Sequence, residues 1–256
     1  MSDTYGQYSR TIEYYRRYRP RYPQTLIEWL KSEFALSLEH IIADIGSGTG
    51  QMTELFLRNG NIVYSIEPNA DMRRAAEQDL RTYSNLKSLD ATAEATTLPD
   101  SSVHLITVGN AFHWFNHSQT RKEFFRILKP RGWVILAWNL ERNNGSPFAM
   151  TFEGFWQKHI DPAARFKRAG ERKVSDNVIQ FFGADNVKEI SFDNYQVCDF
   201  EALKGVALSF LKAPQPEDPR YPIMLGELKE LFNQHQENGV VTLEYDTAVS
   251  YGQLSS

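Results

Sequence analysis

The sequence predicts an α/β fold: a mostly parallel, seven-stranded sheet with helices on both faces and a helical cap. Three observations carry this reading. Short, nearly continuous apolar runs alternate with helix-period segments as far as Asn139, as strands covered on both faces do. The first run, Ile41–Ile45, leads straight into a glycine turn and a helix. Two long strand-like stretches, 187–200 and 240–251, follow in the second half. The later one alternates as Val241, Leu243, Tyr245, Thr247 and Val249.

Each element has its local reason. Gln51–Arg58 puts Met52, Leu55 and Phe56 on one helical face, and Gly60 stops the helix. Asn61–Ile66 reads as the second strand, and Asn69 caps a helix through Leu80. Leu86–Leu89 is a short third strand and Val103–Val108 a fourth. A helix over Ser118–Leu128 is followed by the turn Lys129-Pro-Arg-Gly132 and a fifth strand, Trp133–Asn139. Ser146-Pro147 opens a helix to His159, and Ser175 opens another that Gly183 closes. Phe148, Phe152, Phe155 and Trp156 share a face of the former, which suits ordinary core or the wall of a pocket. Helices over 201–211 and 221–236 lie between the last two strands. The expected organisation is one domain over 1–256: N-terminal lid helices in 1–38, a core over 39–140, and cap segments at 141–172 and 201–238.

Composition narrows the function. With 41% hydrophobic residues in 256, the chain can bury a core, and its net charge of −4 excludes a general grip on nucleic acid or anionic lipid. Arg10, Arg16, Arg17, Arg19 and Arg21 interleave with tyrosines at the N-terminus, but no RNA-binding module accompanies them. A lone Cys198 excludes an internal disulfide, and His104, His117 and His159 have no metal-ligand spacing, so no metal is expected. No apolar run approaches the roughly 20 residues of a membrane span, and no leader pattern precedes the fold. A cytoplasmic protein is the expectation.

The chemistry lies in Asp44-Ile-Gly-Ser-Gly-Thr-Gly50. Its G-x-G-x-G spacing departs from the dinucleotide turn, which would need glycine at Gln51, and no Lys-Ser/Thr follows to make a P-loop. Glu67, at the end of the second strand, can take hydrogen bonds from both hydroxyls of an adenosine ribose. Thr92-Ala-Glu94 follows the third strand. Asn110-Ala-Phe-His-Trp-Phe115 follows the fourth, at the sheet edge where ligands of open α/β sheets bind.

These motifs, with Leu128-Lys-Pro-Arg-Gly132, stand in the order and spacing of class I S-adenosylmethionine (SAM)-dependent methyltransferases, which the chain resembles over nearly its whole length. More narrowly it resembles the type-11 branch that includes trans-aconitate methyltransferase-like proteins, through Tyr18-Arg-Pro-x-Tyr-Pro23 and the Gly239-to-Gly252 strand. The resemblance implies a Rossmann-like core and SAM as cofactor. It places Asp44 behind the glycine turn, facing the methionine amino group, with Gly46, Ser47, Gly48 and Gly50 along the methionine. Glu67 would hold the ribose, Pro68 and Asn69 would lie beside the adenine, and Thr92, Ala93 and Glu94 would border its edge. Asn110 and Ala111 would close the inner side. Thr92 stands where many relatives carry an acid, so the partner of the adenine amino group is left to Glu94 or a backbone carbonyl.

The expected function is methyl transfer to a small-molecule acceptor, with a carboxylic acid as one candidate. A SAM-binding regulator or scaffold without methyl transfer is the alternative. Tyr15, Arg19, Tyr22, Trp114 and Phe115 are the candidate substrate or lid residues. His113 is the candidate catalytic base, with a purely local hydrogen-bonding role as its competitor.

Overall fold

The computed structural model describes residues 11–142, 146–159, 175–210 and 212–255. Arg10, with the rest of 1–10, and residues 143–145 and 160–172 of the expected 141–172 cap segment lie outside them. Contacts divide the chain into two compact units. One comprises residues 21–139, 173–192 and 247–256; the other comprises 1–20, 140–172 and 193–246.

Seven strands are ordered β3-β2-β1-β4-β5-β7-β6. They are β1 (Ile42–Ile45), β2 (Val63–Ile66), β3 (Leu86–Leu89), β4 (Val103–Gly109), β5 (Leu128–Glu141), β6 (Lys188–Cys198) and β7 (Val241–Gly252). The first five in spatial order pair in parallel. The mostly parallel expectation is corrected for the rest, because β5-β7-β6 is antiparallel. The physical reason is in the side chains. β7 buries alternate residues from Val241 to Val249, and β6 leaves most of its residues partly or fully exposed. Strands with one wetted face belong in antiparallel pairing, whereas the buried run of β1 needs cover on both sides.

In the first unit the helices are α2 (Thr25–Phe34), α3 (Gln51–Asn59), α4 (Ala70–Asp79), α5 (His117–Ile127) and α7 (Asp176–Phe182), with α1 assigned below to the other unit. Their ends match the local chemistry. Asn69 Oδ1 accepts from the backbone of Asp71 and Met72, and Ser175 Oγ caps α7 at Val178. Asn116, two residues before the predicted start, caps α5 at Gln119. Leu26, Ile27, Leu30, Ile42, Phe56, Val63, Leu105 and Ile135 form a shared core.

The second unit contains α1 (Ile12–Tyr18), α6 (Pro147–His159), α8 (Phe200–Leu208) and α9 (Tyr221–His235). Phe148, Phe152, Phe155 and Trp156 on α6 are all buried with Leu203, Met224, Leu228 and Tyr245, so the aromatic face is core. Tyr18 of α1 lies directly on Gly205 of α8, where any side chain would collide with its ring.

One ion-pair network fixes the loop that leads from β3 towards β4. Glu123 on α5 accepts from Thr96 N (2.8 Å), Thr96 Oγ1 (2.6 Å) and Arg126 Nη2 (2.7 Å). Burial alone would raise this carboxyl, but the bonds from Arg126 and Thr96 outweigh it and hold it down at about 2. A depressed acid stabilises the fold above its unfolded pKa and loses that contribution as pH falls towards the folded value. Glu123→Gln should therefore cost about 2 kcal/mol at pH 7, less than the full shift because Arg126 is partly exposed. Urea titrations from pH 7 to 3 should show the gap between the two proteins closing below about pH 4.5. A gap independent of pH would contradict this assignment.

Candidate active site

The order of the strands reverses between β1 and β4, since β2 and β3 lie to one side of β1 and β4 and β5 to the other. Connections leave β1 and β4 in opposite directions there, which opens a crevice at their carboxyl ends. The glycine turn, the loop after β2 and the aromatic turn after β4 all emerge at this edge.

The turn is built from backbone. Gly46 N (2.9 Å) and Ser47 N (3.1 Å) both donate to Ile66 O, and Gly50 N donates to Ser47 O (2.9 Å). Gly46, Gly48 and Gly50 all have positive φ, at 66°, 57° and 88°. Their neighbours give them different duties. A Cβ on Gly46 would lie 2.7 Å from Ala111 Cβ, and one on Gly50 2.7 Å from Leu80 Cδ1, so both are required by packing. A Cβ on Gly48 would meet only Met72 Sδ, at 3.9 Å. Gly48 is the point of the turn that presents bare backbone to open space.

Two carboxylates brace this turn. Asp44 is fully buried at the end of β1, accepting from Thr53 Oγ1 (2.5 Å) and Thr107 Oγ1 (3.1 Å). Burial pushes its carboxyl up to about 6, against the opposing hydrogen bonds. Glu67, 7% exposed, accepts from Gly48 N at Oε2 (2.9 Å) and from Asn69 N at Oε1 (2.8 Å). Burial raises it too, and the two backbone N–H groups and Arg73 partly counter the rise. Arg73 Nη1 donates to Glu67 O (2.7 Å) and Nη2 to Asp90 (2.9 Å). Each Glu67 oxygen keeps further acceptor capacity beyond its backbone bond.

The other expected residues gather nearby in the same unit. Pro68 connects Glu67 to Asn69, whose side chain is occupied in capping α4. Thr92 pairs with Ala95 in an isolated bridge around the buried Ala93. Glu94 Oε1 accepts from Asn116 N (2.8 Å), so it ties this loop to the aromatic turn rather than lying idle. Asn110 has φ 54°, and its Nδ2 donates to the Tyr22 hydroxyl (3.2 Å) while its buried Oδ1 has no partner. Tyr22 is buried, and its ring lies so close to Gly109 that a Cβ there would sit 2.6 Å from the hydroxyl.

The Phe112–Trp114 stretch forms one turn of 3-10 helix. Phe112 is buried against His117 and Phe181, while Phe115 lies over Gly46. Trp114 is 52% exposed. His113 is exposed, and its imidazole is held below the usual histidine range first by the protein packed around it and then by His117.

Tyr15 and Arg19 belong to the other unit. There Arg19 Nη2 donates to Ser209 O (3.3 Å), and the guanidinium stacks over Phe210 (3.9 Å) and Tyr15 (5.1 Å). Its Nε is buried without a partner, and no carboxylate among the described residues pairs with it. Thr53, Thr107, Ser65 and Arg73 were not legible as site residues. Ser65 Oγ bonds Ser47 Oγ at 2.8 Å, a contact between β2 and the glycine turn that no sequence spacing announces. Among the described residues there is no group of three or more side chains able to hold a metal ion. Nor is any helix long and apolar enough to cross a membrane.

Residues 43–136 match the family described as a methyltransferase domain. An uncharacterized methyltransferase of Schizosaccharomyces pombe is 26% identical over 219 residues, 84% of this chain and 83% of its own length. One from Mycobacterium tuberculosis is 32% identical over 143 residues, 54% of this chain and 53% of its own. Among solved structures, a candidate type II methyltransferase of Anaeromyxobacter dehalogenans aligns with a TM-score of 0.68 at 18% identity, covering 93% of this chain and 99% of that one. The [4+2]-cyclase SpnF shares the fold at a TM-score of 0.51 and 13% identity, over 91% of this chain and 82% of that one. Residues 43–136 thus carry a methyltransferase domain, and these relationships make the chain a SAM-dependent methyltransferase.

Proposed function

We propose that this enzyme methylates a small carboxylic acid in the cytoplasm, as the trans-aconitate-like resemblance suggests, and that SAM is held by the residues around Gly48. The observation that carries the cofactor assignment is the buried Glu67 carboxylate, fixed beside the one glycine of the turn that faces open space. Gly46, Ser47, Gly48 and Gly50 line the methionine with backbone, Glu67 takes the ribose, and Asp44 braces the turn. Pro68, Asn69, Thr92, Ala93 and Glu94 border the adenine. Ala111 and Asn110 close the inner side, where the unpartnered Asn110 Oδ1 offers an acceptor to a donor on the ligand. When bound, SAM supplies an electrophilic methyl group on a sulfonium. The protein's own task is alignment and exclusion of water, to which the aromatic turn contributes.

Two features support a carboxylate acceptor. Arg19 is a partly buried cation with an unpartnered Nε, and a guanidinium fork is suited to hold a carboxylate. His113 is a weakened base, and a carboxylate, already ionised at neutral pH, needs none.

Three outcomes follow. Glu67→Ala should weaken SAM binding by about 2–4 kcal/mol in calorimetry. A 2′-deoxy analogue of S-adenosylhomocysteine should bind less well than the parent to the natural enzyme but equally to the variant; equal discrimination by both would remove Glu67 from the ribose. Asp44 gives a second outcome. An acid whose folded pKa is raised to about 6 destabilises the fold at neutral pH, and that cost disappears below about pH 4. Asp44→Asn should thus raise stability at pH 7 by about 1–3 kcal/mol while lowering SAM affinity. A variant that loses stability at pH 7 would show that the charge is structural.

The third concerns the acceptor. His113→Gln should retain most activity, while Arg19→Ala should mainly raise KM for the acceptor. Labelled methyl transferred from SAM in a metabolite extract should be released as methanol by mild alkali, the mark of an ester. A base-stable product, with His113→Gln down ~10²–10⁴-fold, would assign an amine or hydroxyl acceptor instead.

A further inference from the structure

At the amino-terminal edge of the parallel strands, away from the cofactor crevice, the pairing of β4 with β5 is interrupted. Val103 faces Leu128 and Leu105 faces Trp133, so His104 alone stands opposite the residues 129–132. This is a large bulge, and bulges re-aim side chains. It is also tight: a Cβ on Gly132 would lie 2.9 Å from Lys129 O and 3.1 Å from His104 O, and Arg131 takes φ 66°. The result brings Lys129 Nζ to 3.1 Å from His104 Nε2.

Hydrogen-bond roles make that contact unusual. His104 Nδ1 accepts from Ile41 N at 2.9 Å, so its lone pair is used and a neutral ring must carry its proton on Nε2. Burial first, then Lys129 and His40, hold the His104 imidazole below its ordinary range, which keeps the ring neutral at pH 7. A charged lysine has donors only. Two donors therefore face each other. His40 repeats the pattern: its Nδ1 accepts from Ser37 N at 3.1 Å, leaving Nε2–H, and its ring centre is 4.7 Å from that of His104 at 49°. Neither Nε2 has a lone pair to give a metal ion. What is missing is an acceptor.

We infer that His40, His104 and Lys129 form a second binding site, for a tetrahedral oxyanion: phosphate, free or as a monoester. The two rings stand at 49° to one another beside the ammonium, and donors not confined to one plane suit a tetrahedral group better than a flat carboxylate. The nearby acid, Glu39, is held low by Ser37 first, then by its own backbone N–H and by His40, and lies in solvent. All three proposed ligands are partly exposed, so an anion can reach them.

The test is a titration of the full-length protein with inorganic phosphate, glycerol 3-phosphate and acetate, followed by the imidazole ¹⁵N–¹H resonances. Saturable shifts of the His40 and His104 Nε2–H signals with phosphate are expected, with Lys129→Gln weakening binding about tenfold and leaving SAM affinity unchanged. A tighter response to glycerol 3-phosphate would identify a monoester as the ligand, and a tighter response to phosphate the free ion. No saturable shift, an equal response to acetate, or full phosphate binding by the SAM-competent Lys129→Gln protein would overturn the site. His104→Gln, checked for folding by SAM binding, provides an independent second variant with the same expected loss.

Discussion

A single buried carboxylate, Glu67, ties together the parts of this site that must not move. One oxygen holds the Gly48 N–H and the other the Asn69 N–H, so the turn after β1 and the entry to α4 share one anchor. Such a bridge is costly to form, because burial disfavours the ionised group, and it is retained only where backbone donors and a nearby cation compensate. Asp44 repeats the arrangement one strand away, with two threonine hydroxyls in place of backbone N–H groups. Two ionisable acids buried within one turn make poor sense as scaffolding alone, since apolar residues would pack there at lower cost. Both stand where the strand order reverses, Asp44 on β1 and Glu67 just after β2.

The distribution of duties among the glycines follows from this frame. Gly46 and Gly50 are pressed by Ala111 and Leu80, whereas Gly48 has room before it. Packing thus fixes the ends of the turn and leaves its middle open. The aromatic turn after β4 is fixed in a related way: Phe112 is buried beneath it, Phe115 lies on Gly46, and Glu94 holds Asn116. Similarity of fold reaches further than similarity of chemistry, as the alignment with the cyclase SpnF illustrates. The assignment of methyl transfer therefore leans on the family match over 43–136 and on methyltransferase relatives, with the sheet as support.

Much of this was legible in the sequence. The glycine spacing, Glu67 at a strand end and Asn69 as a helix cap are local patterns, and local patterns survive folding. Alternation marks a long strand over 240–251, close to the observed Val241–Gly252, and the same alternation, with its wetted face, argues for the antiparallel pairing that the mostly parallel expectation missed. Contacts between separate elements were invisible: Thr53 and Thr107 meet Asp44 from nine and sixty-three positions away. Tyr22 was named through a family motif, but its seat on Gly109 and Asn110 depends on the chain returning to the end of β4. The fifth strand shows the opposite error. Lys129–Gly132 was read as a turn before a strand, and it is a bulge within one, because Leu128 pairs with Val103 before the chain loops out.

The central claim is that the cofactor lies across the glycine turn with its ribose on Glu67. A crystal structure with S-adenosylhomocysteine tests it most directly. The account predicts both ribose hydroxyls within hydrogen-bond distance of the Glu67 carboxylate and the amino-acid end passing Gly48. Ligand density elsewhere, or a ribose turned away from Glu67 towards solvent, would contradict it.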